Sequence, residues 1–385
     1  MQPAARMQTI TPYFFAELGA KIQEMRALGK DIIRLDMGSP DMPPASFIIE
    51  ALRSSAALDS IHGYAPCGGT KDYREAIAAY YGRRFGVVLD PATEVVGLIG
   101  SKEGLFHLSM AFLEAGDVTL VPDPAYPTYA TAGRFAGAEI TTMPLLADND
   151  FLPDLEAIPR ETLRRTKLLW VNYPNNPTGA CAPLAFFESL VRLAREHRLL
   201  ICHDMPYAEI TYDGYQAPSL LEIPGAKEVV IEFNSLSKTY NMAGWRLGMA
   251  CGNAEAVSIL NTLKTNIDSG QFRAMQDAGI TAIAGNQSWL ENRNSVYQER
   301  RDIVLAMLSE IGLTAFKPLA AIYVWARVPP GGTSSRFANA MLEEIGVSVT
   351  PGSLYGAHGE GYFRISLGTP TSLVRTAMDR IAAWI

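Results

Sequence analysis

The chain has 385 residues, 48% hydrophobic and 19% charged, enough for a large core and, by length, for two or three domains. A net charge of −7 argues against a nucleic-acid partner, because phosphate neutralisation needs a surplus of Lys and Arg. No run approaches the roughly 20 apolar residues of a membrane span, the start carries no signal-like segment, and Cys67, Cys181, Cys202 and Cys251 lack metal-type or paired spacing. A soluble cytoplasmic protein with no membrane partner is expected.

In chain order, short apolar or β-branched runs alternate with helical patterns. The runs are Val95–Ile99, Val118–Pro122, Leu168–Asn172, Leu199–His203 and Val229–Phe233. Between the third and fourth, Leu184, Phe187, Val191 and Ala194 recur at helical spacing behind Pro183, a residue tolerated in a first helical turn. Strands buried on both faces and separated by helices predict an α/β fold with a mainly parallel sheet. From about Gly285 the pattern changes: a long helix over Trp289–Leu313 precedes strand-like Ala321–Arg327, a helix, Val347–Thr350 and Tyr362–Leu367. This predicts a smaller α+β domain over 285–385, joined by an N-terminal arm over 1–43, with the large domain over 44–284.

In such sheets the ligand site lies at the carboxyl ends of the strands. There the sequence collects Gly100-Ser101-Lys102, Asp123-Pro-Ala-Tyr126, Tyr173-Pro-Asn-Asn176-Pro-Thr-Gly179, His203-Asp204-Met-Pro-Tyr207 and Ser235-Leu-Ser237-Lys238. The last continues to Gly244-Trp-Arg246-Leu-Gly248. Two hydroxyls and a guanidinium suit a phosphate dianion, and the lysine beside them can condense with an aldehyde. Amides at the start of a helix over Leu105–Leu113 could hold the same phosphate. The five histidines show no ligand spacing, and nothing here calls for a metal.

The spacing SxSK-x7-R-x-G resembles the lysine motif of the class I/II aminotransferases, and the resemblance covers nearly the whole chain. It implies the fold-type I architecture: a mainly parallel seven-stranded central sheet flanked by helices, plus a smaller α+β domain. It implies pyridoxal 5′-phosphate as cofactor, with Lys238 as the residue that carries it and moves the proton. Asp204 would face the pyridine nitrogen, Tyr207 and Asn176 the phenolic oxygen, and Tyr126 would stack on the ring. Ser101, Lys102, Ser235, Ser237 and Arg246 would hold the phosphate. Tyr64, in Tyr-Ala-Pro-Cys-Gly-Gly69, would reach the neighbouring subunit's phosphate, making the protein a homodimer with shared active sites. Arg364, in Tyr-Phe-Arg-Ile-Ser, would grip the substrate α-carboxylate, with Gly38 and Asn176 beside it.

Within the class, Gly100-Ser-Lys-Glu-Gly104, Asn172-Tyr-Pro-Asn-Asn-Pro-Thr-Gly-Ala180, Glu232–Arg246 and Lys264-Thr-Asn-Ile-Asp-Ser-Gly270 are most similar to bacterial enzymes of lysine biosynthesis that exchange the amino group of LL-2,6-diaminopimelate with 2-oxoglutarate. Two features pull elsewhere. The Tyr64–Thr70 loop lacks an acid to meet a distal ammonium, and Arg273 adds a cation near the expected substrate entrance unless it pairs on the surface. An alanine-, glutamate- or aspartate-type aminotransferase therefore stays open, as does a lyase using the same cofactor. A regulator on this fold would need an added DNA-binding segment, for which the stretch before Gly38 leaves no room.

Overall fold

The structure, a computed structural model, describes residues 2–385. The first strand, β1 (Ile33–Arg34), is followed by β2 (Val95–Leu98), β3 (Val118–Asp123), β4 (Glu139–Pro144), β5 (Thr166–Val171), β6 (Leu200–Asp204), β7 (Val230–Ser235) and β8 (Gly248–Gly252). Strands β2 to β8 make one seven-stranded sheet in the order β2-β8-β7-β6-β5-β3-β4. All neighbours run parallel except β8, which is antiparallel to both β2 and β7. The buried runs explain this: every residue of β3 and β7 is buried, so helices must cover both faces.

The second half of the chain adds β9 (Ala315–Phe316), β10 (Tyr323–Arg327), β11 (Val347–Ser348), β12 (Thr350–Pro351) and β13 (Tyr362–Ser366). These include an antiparallel sheet in the order β12-β13-β10-β9, while β11 pairs in parallel with β1. Ile33 and Leu35 thereby enter one core with Tyr323, Val324, Phe363 and Ile365, so the N-terminal segment packs with the C-terminal sheet across more than three hundred residues of sequence. The long helix occupies Ser288–Glu310. Among the described residues, no helix is long and apolar enough to cross a membrane.

Two strands of the seven-stranded sheet were not anticipated from sequence. Strand β4 is an edge strand whose residues are mostly exposed, so it lacks the apolar run of its neighbours. Strand β8, Gly-Met-Ala-Cys-Gly, begins and ends in glycine and reads as a loop, yet it is fully buried between β2 and β7. Its antiparallel return folds the Leu236–Leu247 connection back over the sheet's carboxyl edge, bringing Arg246 to Lys238.

Candidate active site

A cavity of about 360 Å³ opens at that edge, lined by Gly38, Ser101, Lys102, Tyr126, Asn176, Asp204, Tyr207, Ser235, Ser237, Lys238, Arg246 and Arg364. The whole expected set is thus gathered there except Tyr64, which projects away with 96% of its surface exposed.

Lys238 sits in the short helix Leu236–Thr239, capped by Ser235, whose hydroxyl accepts from the Ser237 amide at 3.2 Å. Its amine donates to the Gly38 carbonyl. Burial, then the nearby Arg364 and Arg246 charges, lower its pKa from 10.5 to about 8. A substantial share of the amine is therefore unprotonated, and nucleophilic, just above neutrality.

Asp204 closes β6 and is 4% exposed. One carboxylate oxygen, Oδ2, accepts from the Tyr129 hydroxyl at 2.8 Å, whereas Oδ1 is buried without a partner. Burial raises this carboxyl to about 6, against the lowering effects of the Tyr129 hydrogen bond and of His203 and Lys238. A buried carboxylate oxygen left open at a cavity is costly unless a donor completes it.

At the opposite side, the Gly100 turn precedes helix Ser101–Phe112 with φ +78°. Arg246, itself at φ +58°, donates to the Ala243 carbonyl at 2.9 Å and the Ile99 carbonyl at 3.0 Å. A Cβ on Gly100 would run into that guanidinium, so only glycine permits the approach. Free helix amides, two serine hydroxyls and a guanidinium converge there as an anion cradle.

Arg364 lies in the middle of β13 and is 2% exposed. It donates to Asn176 Oδ1 at 2.7 Å and to the Asp36 carbonyl at 2.7 Å, and its ring neighbour Tyr323 lies 4.1 Å from the guanidinium carbon. Its Nε, buried, has no partner. The Asn176 amide is held by Asn172 Oδ1 at 2.8 Å, and Asn172 donates to the Asp204 carbonyl at 2.6 Å, so one side-chain bridge couples the turn to the end of β6.

Among the aromatic lining residues, Tyr323 and Tyr355 escaped the sequence reading. Tyr323 exchanges a 2.7 Å hydrogen bond with Tyr207, and Tyr355 stacks near Arg364 at 5.1 Å. From the N-terminal arm, Tyr13 meets the Lys102 ammonium at 4.4 Å and Phe15 lies 5.9 Å from the Arg364 guanidinium. Tyr323, in a strand, and Tyr355, in a short turn, carry no local spacing to mark them. Arg273, conversely, is not a free cation at the entrance. It donates to Asp277 at 2.6 Å and to Asp72 at 2.9 Å and does not line the cavity.

The cavity brings together a lysine of lowered proton affinity, a half-satisfied aspartate, a cluster of donors suited to an anion and a buried arginine. The chain belongs to the aminotransferase class I and II family, whose model matches residues 30–381. LL-diaminopimelate aminotransferase of Moorella thermoacetica is 52% identical over 381 residues, spanning 99% of this chain and 98% of that protein. LL-diaminopimelate aminotransferase 2 of Nostoc sp. is 50% identical over 99% of this chain and 98% of its own length. Among solved structures, apo-BacF of Bacillus subtilis superposes with a TM-score of 0.96 at 38% identity, covering 100% of this chain and 98% of that one. Aspartate aminotransferase of Thermus thermophilus with maleate gives a TM-score of 0.93 at 32% identity, with full coverage of both chains.

Proposed function

We propose that this aminotransferase uses pyridoxal 5′-phosphate to transfer the amino group between LL-2,6-diaminopimelate and 2-oxoglutarate. The observation that carries the cofactor assignment is the buried, unpartnered Asp204 Oδ1 facing a cavity whose far side is an anion cradle and whose wall is Lys238. A protonated heterocyclic nitrogen would complete Asp204, and a phosphate would fill the cradle of Ser101, Lys102, Ser235, Ser237 and Arg246. When bound, the cofactor supplies an electron sink for the carbanion at the substrate's Cα.

The protein's own groups do the rest. Lys238, with its lowered proton affinity, would hold the cofactor and would take and return the proton at the substrate's Cα as general base and acid. Asp204 would keep a ring nitrogen protonated, Tyr207 and Asn176 would orient the phenolic oxygen, and Tyr126 would cover a ring face. Arg364, with Gly38 and Asn176, fixes the α-carboxylate, and its open Nε leaves room for a further acceptor. In this reading residues 1–43 and 285–385 form the small domain and 44–284 the cofactor domain, supported by the β1–β11 pairing and the shared core behind it.

Identity near 50% over the full length of LL-diaminopimelate aminotransferases supports the substrate pair. The pairing of Arg273 with Asp277 and Asp72 removes the cation that favoured a distal carboxylate alone. Mixing cofactor-loaded protein with LL-diaminopimelate, glutamate, alanine and aspartate tests it by the loss of the cofactor's visible band. Rapid loss with the first two is expected. Loss with alanine or aspartate but not diaminopimelate would discard the substrate pair while leaving the transamination standing.

The homodimer belongs to the same reading. Leu58 and Tyr64 in one segment and Ile267 and Phe272 in another expose 53, 96, 58 and 38% of their surfaces, and His62 stacks on Phe272 at 5.6 Å, bringing the two segments together. Apolar exposure of this kind is relieved by a second copy.

A further inference from the structure

His203 lies one residue before Asp204 and opposite Glu232 in the β6–β7 register, both fully buried. Its Nδ1 is 2.8 Å from Glu232 Oε2 and its Nε2 is 3.0 Å from the Tyr173 carbonyl. A carbonyl only accepts, so Nε2 donates. Glu232 already accepts from the Ser219 hydroxyl at 2.8 Å and the Leu220 amide at 3.0 Å, bonds that favour a carboxylate and with it a donating Nδ1. A ring that donates from both nitrogens is an imidazolium.

Among the described residues, the surroundings offer Glu232 no other counter-charge. Its one ion-pair partner among them is His203. The Tyr81 hydroxyl and Cys251 thiol face it, and burial pushes both well above their usual ranges, so both stay neutral. On its other flank the His203 ring packs edge-on against Phe187, at 5.2 Å between centroids. A buried carboxylate without a cation would be severely penalised.

We propose that His203 is a positioning residue held as an imidazolium, its charge directly behind Asp204 keeping that carboxylate ionised, and its second N–H pinning the Tyr173 carbonyl at the start of the turn that carries Asn176. Its relevance to catalysis rests on the function proposed above, but the protonation state does not. Successive strand residues face opposite sides of the sheet, so His203 acts from the core side while Asp204 faces the cavity. The charge opposes the burial that raises the Asp204 carboxyl. The Tyr173 link joins Asp204's strand to the Asn176 turn, alongside the bridge through Asn172.

The test is nitrogen-15 NMR of the cofactor-free, full-length protein labelled at its five histidines. At pH 7.5 one ring, the slowest to exchange, should show protons on both nitrogens, and that signal should vanish in His203→Gln. A neutral ring with one N–H would overturn the proposal, because Glu232 would then hold the proton. A second measurement separates charge from packing. The pH dependence of unfolding that Asp204→Asn removes reports the Asp204 carboxyl, and His203→Gln should raise its midpoint from about 6 by about one unit. If His203→Gln lowers stability equally at every pH, the ring is merely structural and the proposal fails. Neither readout needs the cofactor, so a failure here is distinct from a failure of the transaminase assignment.

Discussion

Two titrations at the site carry opposite consequences. Asp204 holds a carboxyl raised by burial to about 6, above its ordinary 3.8. The folded chain therefore binds its proton more tightly than the unfolded chain. The sign follows: stability falls as pH rises from about 4 to about 6, and the full penalty persists above that. Asp204→Asn should stabilise the cofactor-free protein at pH 8 by about 2–3 kcal/mol and leave it unchanged near pH 4, read by urea unfolding. The same variant should lose turnover, because an amide cannot hold a ring nitrogen protonated. A loss of stability at pH 8 would mean that the carboxylate is not under strain. Lys238 runs the other way: its folded pKa, about 8, is lowered from 10.5, so the stability of the cofactor-free protein should rise as pH climbs from about 8 to about 10.5, a rise that Lys238→Met should remove in urea unfolding. Lys238→Ala should cost at least about a thousandfold in kcat and remove the cofactor's pH-sensitive absorbance. A variant with normal turnover would place the chemistry elsewhere.

At the scale of elements, the anion cradle depends on a buried ionic cluster behind it. Lys264, near the end of helix Ala254–Thr265, is fully buried and lies 3.2 Å from Glu103 and 2.7 Å from Asp268. Glu103 in turn accepts the Ile99 amide at 2.7 Å, next to the Gly100 turn, and sits 2.8 Å from His107. Carboxylates of Glu103 and Asp268 with His107 could draw a metal, but the lysine ammonium lies among them and supplies the cation. Lys264→Met should therefore cost about 3–5 kcal/mol, since two carboxylates lose their partner. Adding Asp268→Asn should recover part of it, a non-additivity that a double-mutant cycle reads directly. An additive cycle would show the groups to be independent. Little of this cluster was legible in the sequence, where its two i,i+4 pairs, Glu103–His107 and Lys264–Asp268, stand 161 residues apart. What was legible is what short spacing encodes: the Ser235–Arg246 motif, the Asn176 turn and the buried runs of β3, β5, β6 and β7. Strand β4 was missed because its edge position exposes it, and β8 because its terminal glycines resemble a loop. Arg273 stayed open between a free and a paired cation: Asp277 lies one helical turn on, but its second partner, Asp72, lies 201 residues away, a distance no local pattern spans.

At the scale of the whole molecule, every expected site residue but one meets in a single chain. Tyr64 stands outside, 96% exposed, on the Tyr64–Thr70 loop whose Cys67 thiol donates to the Asp268 carbonyl at 3.3 Å. The loop is thus fixed to the Lys264 cluster while its tyrosine points outward, the arrangement of a side chain offered to another copy. A shared site makes a prediction that no single-chain site can imitate. Lys238→Ala and Tyr64→Ala proteins should each be nearly inactive alone. Unfolded together and refolded, about half of the dimers are mixed, and each mixed dimer has one site with Lys238 from one chain and Tyr64 from the other, both intact. The other site of that dimer lacks both. About a quarter of all sites, and so about a quarter of wild-type turnover, should return. If each chain instead used its own Tyr64, every mixed site would carry one defect and nothing would return. Recovery near zero, with mixed dimers verified by mass, would therefore assign Tyr64 to its own chain.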